Sequence, residues 1–258
     1  MTETMTQTSW PPKRDLFGVN VSRAMYDDAE QAVMAAAHRR EPAVVTHLPV
    51  HGLVTAAMNA SYRQRVNAFD LIAADGQPVR WAMNLFHKAG LSDRLYGPEL
   101  MLRLCRRAAR EGISVYLYGS TPPVVERLRE RLRVHCADLQ IVGCEAPPFR
   151  PLTPEEDEAV VQRINDSRAG LVFIGLGLPK QDHFAFEHKG RIKAVQLCVG
   201  AAFDFHAGNK RMAPSWMQKR GLEWAFRLCQ EPGRLWRRYL TTNVLFLGLV
   251  GWRMVRGR

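Results

Sequence analysis

Apolar runs of strand length alternate along this chain with amphipathic runs of helix length, and this alternation constrains the fold more than any other feature. Several of the runs are apolar throughout, which is typical of strands covered on both faces of a parallel sheet. The alternation predicts an α/β fold, with a Rossmann-like, mostly parallel sheet flanked by helices. The predicted strands cover residues 43–48, 69–75, 114–119, 139–145, 171–177 and 194–204.

The segments between these runs carry helix start and stop signals. Gly112 is a typical C-cap residue at the end of one amphipathic segment. Thr153 is a candidate N-cap, followed by Pro154 in the first helical position and by Glu156, which can complete a capping box. The predicted helices cover residues 27–40, 97–112, 121–135 and 153–167.

The carboxyl ends of the predicted strands carry glycines and short polar residues, at the edge where open α/β sheets bind ligands. A helix that starts after such a strand can bind phosphate through its free amide groups. Tight packing of backbone against backbone explains the same glycines without a ligand. The strand-end residues are Thr46, Asp75, Gly119, Ser120, Gly177, Gly200 and Asp204.

Asp75 and Gly76 follow directly on the apolar run of residues 71–74, and the dipeptide has two interpretations. Asp-Gly is among the most common turn dipeptides, so it can simply end the strand. Alternatively, Asp75 is a catalytic acid or base displayed at the edge of the sheet.

Two common nucleotide-binding motifs are absent from the sequence. The segment GLGLPKQ has Pro179 and Lys180 where the dinucleotide fingerprint GxGxxG requires a further glycine, so a Rossmann dehydrogenase is poorly supported. No GxxxxGK[ST] segment occurs, so a P-loop NTPase is also unsupported. The histidines show no metal-ligand spacing, and no metal site is predicted.

The formal net charge is +11 over 258 residues, and the excess lies after residue 209, where the acids are Glu223 and Glu231 alone. Such a charge predicts an anionic partner: nucleic acid, an acidic membrane face or a phosphorylated small molecule.

The five scattered cysteines contain no CxxC pair, which favours buried free thiols and a reducing cytoplasm. Residues 1–15 lack the apolar core of a secretory signal and are predicted to form a flexible tail.

Residues 209–258 are helical in pattern and rich in arginine and tryptophan. Arg227, Arg234 and Arg238 would share one face of a continuous helix, although Pro232 is expected to break it. Basic residues and tryptophan beside an apolar face are typical of a helix at a membrane surface. A helical pair packed on the domain, with solvated basic side chains, explains the same composition.

A series of motifs occurs in one order along the chain: AADGQPV, LYGPELMLRL, VYLYGS, FIGLGLPKQD and VGAAFDFHAGNKRMAPSWMQKRGLEWAFRLCQEPGRLWRRYL. Together they resemble the WecG/TagA/CpsF glycosyltransferases, also called glycosyltransferase family 26. The succession of PKQ, FDFxAG and GLEWxxRLxxEP makes the resemblance specific. It implies an inverting, metal-independent enzyme without a cofactor that moves a sugar from a UDP-sugar to an undecaprenyl-pyrophosphate-linked saccharide, in bacterial cell-surface polysaccharide synthesis.

The resemblance also implies a cytoplasmic location, peripheral to the inner membrane, for this chain. Its expected partners are the UDP-sugar, the polyprenyl-pyrophosphate-linked acceptor and the membrane face, with a homo-oligomer among the conceivable assemblies and no nucleic acid. The tail of residues 1–15 then precedes a UDP-sugar-binding catalytic core over residues 16–208. A helical, membrane-associating appendage covers residues 209–258.

The motif positions imply roles for individual residues. Asp75 matches the general base, and Arg94 matches an arginine expected to meet the diphosphate or the acceptor. The substrate-binding residues implied by the resemblance are Thr46, Arg94, Gln181, Arg227, Arg234 and Arg237. The strand-end residues Gly119, Ser120, Gly177, Gly200 and Asp204 are then the candidates for binding the nucleotide.

Two positions depart from the family pattern. The family reads T-x-N near the first predicted strand, whereas this chain has Thr46, His47 and Leu48. The family's PKQE is PKQD here, with Asp182 in the fourth position. Both departures are expected to change the donor or acceptor sugar.

The chemistry of the implied reaction agrees with these residue types. A base must take the proton of the attacking hydroxyl, and a positive charge must stabilise the leaving diphosphate. The sequence has no DxD pair for Mg²⁺, and the adjacent Asp27 and Asp28 lie in the first predicted helix, so arginines are expected to supply that charge.

Two other classes of function stay open. The net charge is compatible with a nucleic-acid or acidic-lipid binding protein that has a Rossmann-like core, although no recognisable nucleic-acid motif occurs. A different nucleotide-binding enzyme on the same fold is the second alternative, because a fold does not fix its chemistry. The sequence names neither the donor sugar nor the acceptor, the pathway or the oligomeric state.

Overall fold

A small antiparallel hairpin is the first element of the computed structural model, which describes residues 8–256. Strand β1 (Lys13–Leu16) pairs with β2 (Val19–Ser22), and Leu16, Val19 and Val21 are fully buried. The sequence interpretation of residues 1–15 as a flexible tail is therefore wrong where β1 begins, because the apolar side chains of this short hairpin are buried against the domain. Residues 1–7 of that tail lie outside the described range.

The centre of the domain is a parallel sheet. Its strands are β3 (Ala43–Leu48), β4 (Leu71–Ala74), β5 (Val115–Gly119), β6 (Ile141–Glu145), β7 (Leu171–Gly175) and β8 (Val195–Cys198). Within residues 8–256 these six strands form one sheet in the order β4-β3-β8-β7-β5-β6, with every neighbouring pair parallel. The predicted Rossmann-like α/β fold is confirmed.

Helices cover both faces of this sheet. In chain order they are α1 (Tyr26–His38), α2 (Val50–Met58), α3 (Ala60–Asn67), α4 (Gln77–His87), α5 (Gly97–Glu111), α6 (Pro122–His135), α7 (Pro154–Asp166), α8 (Lys180–Glu187) and α9 (Ala202–His206). One apolar core joins the sheet to α1, α5, α6 and α9, and the other joins it to α2, α3, α4, α7 and α8. Burial on both faces explains why the strands read as continuous apolar runs.

The capping signals in the sequence are confirmed. Gly112 follows α5 with a left-handed φ of 69°, as expected for a C-cap glycine. At the start of α7 the Glu156 amide donates to the Thr153 hydroxyl at 3.3 Å, and the Thr153 amide donates to the Glu156 carboxylate at 2.9 Å. These reciprocal bonds form the predicted capping box.

The predicted strand over residues 194–204 is wrong in its second half. Strand β8 ends at Cys198, the last residue with partners on both neighbouring strands, Thr46 and Ile174. Gly200 then adopts a left-handed φ of 51°, and α9 begins at Ala202. The apolar run continues because α9 is itself buried against the sheet, so periodicity did not separate strand from helix.

Three helices follow the sheet and form the C-terminal appendage. They are α10 (Ser215–Lys219), α11 (Glu223–Gln230) and α12 (Pro232–Val255), and the break between α11 and α12 falls at Pro232, as predicted. Leu235 and Phe246 of α12 are buried, and α12 packs mainly along α2. No helix within residues 8–256 combines the length and the apolarity needed to span a bilayer.

The cysteines are free in the structure, as predicted, but one of them is not buried. Cys105, Cys136 and Cys198 are buried and Cys144 is partly exposed. Cys229 is exposed because it lies on the outer side of α11, which has no further layer of protein over it.

Candidate active site

Asp75 lies at the carboxyl end of β4, at the edge strand of the sheet. Its amide donates to the Leu48 carbonyl at 3.2 Å, so its backbone still belongs to the sheet. Gly76 follows with a φ of 144°, which favours glycine, and α4 begins at Gln77. The dipeptide is therefore a strand-to-helix junction, and it leaves the Asp75 side chain partly exposed at the rim.

The segment before α5 runs beside this strand end. The Leu95 amide donates to the Ala74 carbonyl at 3.0 Å, so Arg94 and Tyr96 flank the end of β4. The Arg94 guanidinium lies over the Tyr96 ring, 3.9 Å from its centroid. The Tyr96 amide in turn donates to the Tyr26 hydroxyl at 3.1 Å, which fixes the segment against α1.

The appendage completes the surroundings of this segment. The Glu223 carboxylate on α11 accepts from Arg94 at 2.5 Å and from the Tyr96 hydroxyl at 3.3 Å. Gln218 of α10 accepts a second bond from Arg94, at 3.0 Å. The Arg94 side chain is 8% exposed, so the structure holds this arginine between the core and the appendage, already paired with an acid.

Asp75 is electrostatically coupled to both parts of the chain. Burial is the main cause that raises the pKa of Asp75 to about 6, and the negative charge of Glu223 acts in the same direction. Arg94, the Gly97 amide and Arg227 act to lower it. A carboxylate with a pKa near the working pH can accept a proton and release it again, which is what general base catalysis needs.

Arginines of α11 and α12 form a cationic cluster, and one of them, Arg227, acts on this carboxylate. Burial is the main cause that lowers the pKa of the Arg238 guanidinium, and the positive charges of Arg234 and Arg227 lower it further. The same Arg238 charge, after burial, lowers the pKa of His51 on α2, to about 4. Arg227 and Arg238, which are both partly buried, thus concentrate positive charge between the appendage and the core. Arg234 is exposed and forms an ion pair with Glu231.

The structure places the adjacent arginines Arg237 and Arg238 differently. Arg237 is exposed and its guanidinium lies 5.2 Å from the centroid of the Trp236 ring. Arg238 is only partly exposed, and its Nε is buried without a hydrogen-bond partner in the described part of the chain. Arg238 therefore faces the core more than Arg237 does, because successive residues of a helix are turned by about 100°.

Thr46 and Gln181 lie behind the site. Thr46 is fully buried and its hydroxyl donates to Asp182 on α8 at 2.7 Å. Gln181 is 2% exposed, and its side-chain oxygen accepts from the Gly177 amide at 3.1 Å. Both side chains are buried and hydrogen-bonded inside the protein, so they stabilise the strand ends instead of facing a ligand.

The glycine-rich strand ends divide into packed and open positions. A Cβ on Gly119 would lie 2.6 Å from the Gly175 backbone, and the Ser120 amide donates to the Gly175 carbonyl at 3.0 Å, so tight packing explains this pair. Gly177 has a left-handed φ of 74° and open space where a Cβ would be. A Cβ on Gly200 would lie 3.2 Å from the Gln181 side-chain oxygen.

The strand order sets the distances of these positions from Asp75. Strands β8 and β5 are two and four positions from β4 in the sheet, which corresponds to about 10 Å and about 19 Å. Gly200 therefore lies nearer to Asp75 than Gly119 and Ser120 do. Asp204 is on α9, where its carboxylate lies 3.5 Å from the Lys210 ammonium.

Metal-ligating side chains are not gathered anywhere in the described residues: no group of three or more His, Cys, Asp or Glu side chains there could hold an ion. His47 illustrates the point. Its Nδ1 lies 3.1 Å from the Cys198 carbonyl, and burial lowers its pKa to about 4, so it is a neutral side chain of the core.

Sequence reasoning missed Glu223, Tyr96 and Arg238 as site residues. Glu223 and Arg227 are four residues apart, so both lie on the same face of α11. That spacing, at one of the two acids of a strongly basic appendage, was the available signal for Glu223. Nothing in the sequence indicated that Tyr96 would face the appendage.

This arrangement can take a proton at Asp75 and hold negative charge at the neighbouring arginines. A comparison with known families adds to the geometry: the model of the "Glycosyl transferase WecG/TagA/CpsF family" matches residues 14–258. The matched range contains every helix named above and every strand from β2 to β8, including all residues around Asp75.

Proposed function

Because the chain belongs to the WecG/TagA/CpsF glycosyl transferase family, we propose that it transfers a sugar, with inversion, from a UDP-sugar to a polyprenyl-pyrophosphate-linked saccharide. Membership of the family gives the chain a glycosyltransferase role in cell-surface polysaccharide synthesis. The nature of the donor and acceptor, the stereochemistry and the roles of individual residues are the proposal.

The observation that carries the proposal is the position of Asp75. Its carboxyl group lies at the end of β4 with a pKa raised to about 6, and guanidinium groups approach from the Arg94 segment and from α11. In the proposed reaction the acceptor hydroxyl oxygen attacks C1 of the donor sugar, while its proton passes to Asp75. The bond between C1 and the phosphate oxygen breaks, and UDP leaves with the electron pair.

The leaving diphosphate needs positive charge, and the appendage supplies it. Arg227, Arg234 and Arg238 are close enough to affect one another, so bringing a dianion among them relieves their mutual repulsion. Guanidinium groups can stabilise the developing charge without a metal ion, which is the basis for proposing metal-independent transfer. Arg237 contributes from the exposed side of α12 in this proposal.

The nucleotide is proposed to bind along the carboxyl edge of the sheet. Gly177 leaves space for a ligand at the end of β7, while Gly200, at the end of β8, is packed closely on the Gln181 side chain. Gly119, Ser120 and Asp204 would bind the part of the donor farthest from Asp75. Thr46 acts through Asp182 in this scheme and does not touch the substrate itself.

Association with the inner face of the cytoplasmic membrane is the remaining part of the proposal. Trp236, Leu240, Val244 and Leu247 are each about half or more exposed, and their spacing of three or four residues aligns them along one face of α12. An exposed apolar stripe beside arginines suits the interface of a bilayer with anionic lipids, where a polyprenyl acceptor resides.

A product assay tests the proposed function. The purified protein is incubated with a panel of UDP-sugars and a short-chain prenyl-pyrophosphate disaccharide or monosaccharide, with and without EDTA, and the products are identified by mass spectrometry. We expect one donor to give a prenyl-linked product of inverted configuration at an unchanged rate in EDTA. No product with any UDP-sugar, together with tight and steeply salt-dependent binding of single-stranded RNA, would favour the nucleic-acid-binding alternative.

A further inference from the structure

Glu223 has no role in the reaction as proposed so far, although its carboxylate is buried among site residues. It is 9% exposed and accepts from Arg94 at 2.5 Å and from the Tyr96 hydroxyl at 3.3 Å. Both donors flank the end of β4 through the bond between the Leu95 amide and the Ala74 carbonyl. A buried negative charge therefore lies next to the proposed base.

The fold brings Glu223 to this place through a close approach of the Gly221 backbone to side chains of α4. A Cβ on Gly221, which has a left-handed φ of 73°, would lie 2.9 Å from the Trp81 ring and 3.3 Å from Cβ of Gln77. Both of these residues are on α4, which begins two residues after Asp75. The turn before α11 can pack on α4 because residue 221 has no side chain, and Glu223 follows two residues later.

Arg94 is fixed on its core side as well. The Gln77 side chain donates to Asp93 at 2.8 Å, and the same Asp93 oxygen accepts from the Arg94 amide at 2.7 Å. Gln218 holds the guanidinium from the appendage side. Arg94 and Glu223 thus form a defined pair, which leaves one guanidinium largely neutralised beside Asp75.

The charges around Asp75 show what this pair does. The groups that face it are the hydroxyls of Tyr26 and Tyr96, the guanidinium groups of Arg94 and Arg227, the Gly97 amide and the Glu223 carboxylate, with Asp93 near Tyr26. Of these, Glu223 is the anion that raises the pKa of Asp75, against both arginines. Without it, two cations would act on Asp75 with no opposing charge, and the carboxylate would be a weaker base.

We propose that Glu223 is a positioning residue for the transfer reaction: its carboxylate orients Arg94 and offsets the positive charge around Asp75, so that Asp75 stays able to accept a proton. This inference rests on the base role of Asp75 in the proposed function. It assigns the appendage a second task besides supplying arginines, namely setting the strength of the base in the core.

The test measures the proton affinity of Asp75 directly. In protein labelled with carbon-13 aspartate, the Asp75 carboxyl signal is assigned by its loss in Asp75→Asn and then titrated in the wild type, Glu223→Gln and Glu223→Asp. Glu158→Gln is the matched control, because Glu158 on α7 forms an exposed ion pair with Arg191 and the substitution removes the same charge. Circular dichroism checks folding, and the acidic limb of kcat/KM is recorded for the same variants.

We expect Glu223→Gln to lower the midpoint of Asp75 by roughly half a pH unit to one unit and to move the acidic limb equally. The plateau of kcat should fall about threefold to tenfold, since a weaker base transfers the proton less well. Glu223→Asp keeps the charge and should give an intermediate shift, while Glu158→Gln should give none.

An unchanged Asp75 midpoint in Glu223→Gln overturns the inference, whatever happens to the rate. If Glu223→Gln does not fold, the Asp75 midpoint is measured in Glu223→Asp, whose carboxylate lies farther from Asp75. An unchanged midpoint in that variant likewise overturns the inference. The titration needs no catalytic activity, so it tests the coupling between Glu223 and Asp75 separately from the proposed function. If the midpoint shifts but the protein transfers no sugar, the coupling is supported and the proposed function is rejected.

Discussion

The Thr46 hydroxyl donates a hydrogen bond of 2.7 Å to the carboxylate of Asp182, which joins β3 to the first turn of α8. The Tyr62 hydroxyl on α3 donates to the other carboxylate oxygen. Asp182 is fully buried, and no ion pair reaches it within residues 8–256. Asp182, one of the two departures noted in the sequence, is therefore a structural acid behind the site, and hydroxyl groups donate to its carboxylate.

Removing one of these hydroxyls should destabilise the protein in a pH-dependent way. Burial is the main cause that raises the pKa of Asp182 to about 6, and the bonds from Tyr62 and Thr46 oppose it. In Tyr62→Phe the ionised carboxylate loses a donor, so we expect the free energy of unfolding to fall by about 1–3 kcal/mol at pH 8. The loss should be smaller at pH 5, where Asp182 is protonated.

Urea unfolding at the two pH values measures this effect. Tyr116→Phe is the matched control, because the Tyr116 hydroxyl donates at 3.0 Å to Glu145, an acid nearer the surface that also pairs with Arg163. The control should lose less than about 1 kcal/mol. Equal losses for Tyr62→Phe at pH 5 and pH 8 would contradict the role of the ionised carboxylate.

Asp75→Asn should abolish transfer and leave the fold intact. The amide cannot take the proton of the attacking hydroxyl, so kcat should fall by about 10²-fold to 10⁴-fold while UDP binding persists. Because folding raises its pKa to about 6, Asp75 favours the folded state only at lower pH, where it is protonated. That contribution is lost as the pH rises through about 6, and ionised Asp75 then opposes folding. Thermal unfolding at pH 8 should therefore show a variant at least as stable as the wild type. Retained turnover in this variant would show that Asp75 is not the base.

The pH dependence of kcat/KM should report the same carboxyl group. Asp75 is a base only when deprotonated, and its pKa is raised to about 6. The rate constant should be level well above pH 6 and should fall about tenfold per pH unit below it. Stopped assays between pH 4.5 and pH 9 measure the profile, and an acidic limb near pH 4 would mean that Asp75 is more open to water than the structure indicates.

The two adjacent arginines of α12 should differ in their effect on transfer. Arg227→Ala and Arg238→Ala each remove a charge from the cluster that faces the core, and we expect each to lower kcat by about 10²-fold to 10³-fold. Arg237→Ala should have a smaller effect on kcat because its side chain is exposed over Trp236.

Steady-state kinetics of these variants need a control for loss of a cation elsewhere. Arg150→Ala is this control, because Arg150 lies in an exposed ion pair with Glu156, far along the chain from the appendage. A large loss of kcat in Arg237→Ala together with normal turnover in Arg238→Ala would reverse the assignment of the two positions.

The exposed face of α12 should bind anionic vesicles. Leu240 and Leu247 are 61% and 67% exposed, and full burial of one such side chain contributes about 1.5–3 kcal/mol. Leu240→Ser combined with Leu247→Ser should weaken vesicle binding by about tenfold or more in a flotation assay, and rising salt should weaken it further. Val134→Ser, which changes an 83% exposed side chain on α6, should have no effect; equal loss in both proteins would point to another surface.

Much of the core fold was predictable because local signals and the sheet agree. The apolar runs at β3, β5 and β7, the C-cap at Gly112 and the capping box at Thr153 all depend on residues close in sequence. Helices such as α2 and α3 were not predicted, since short helices depend on tertiary packing: α2 packs on α12 and β3, and α3 packs on α2 and α8.

Periodicity and residue preferences within a few positions were enough to predict the parallel sheet, several helix ends and the place of Asp75 after a buried strand. Such local signals did not reveal that Arg94 pairs with Glu223, which is 129 residues away, or that Arg238 faces inward while Arg237 is exposed. The physical reason is that the energy of a charged side chain depends on the burial and charge of whatever packs against it, and here those neighbours come from distant parts of the chain.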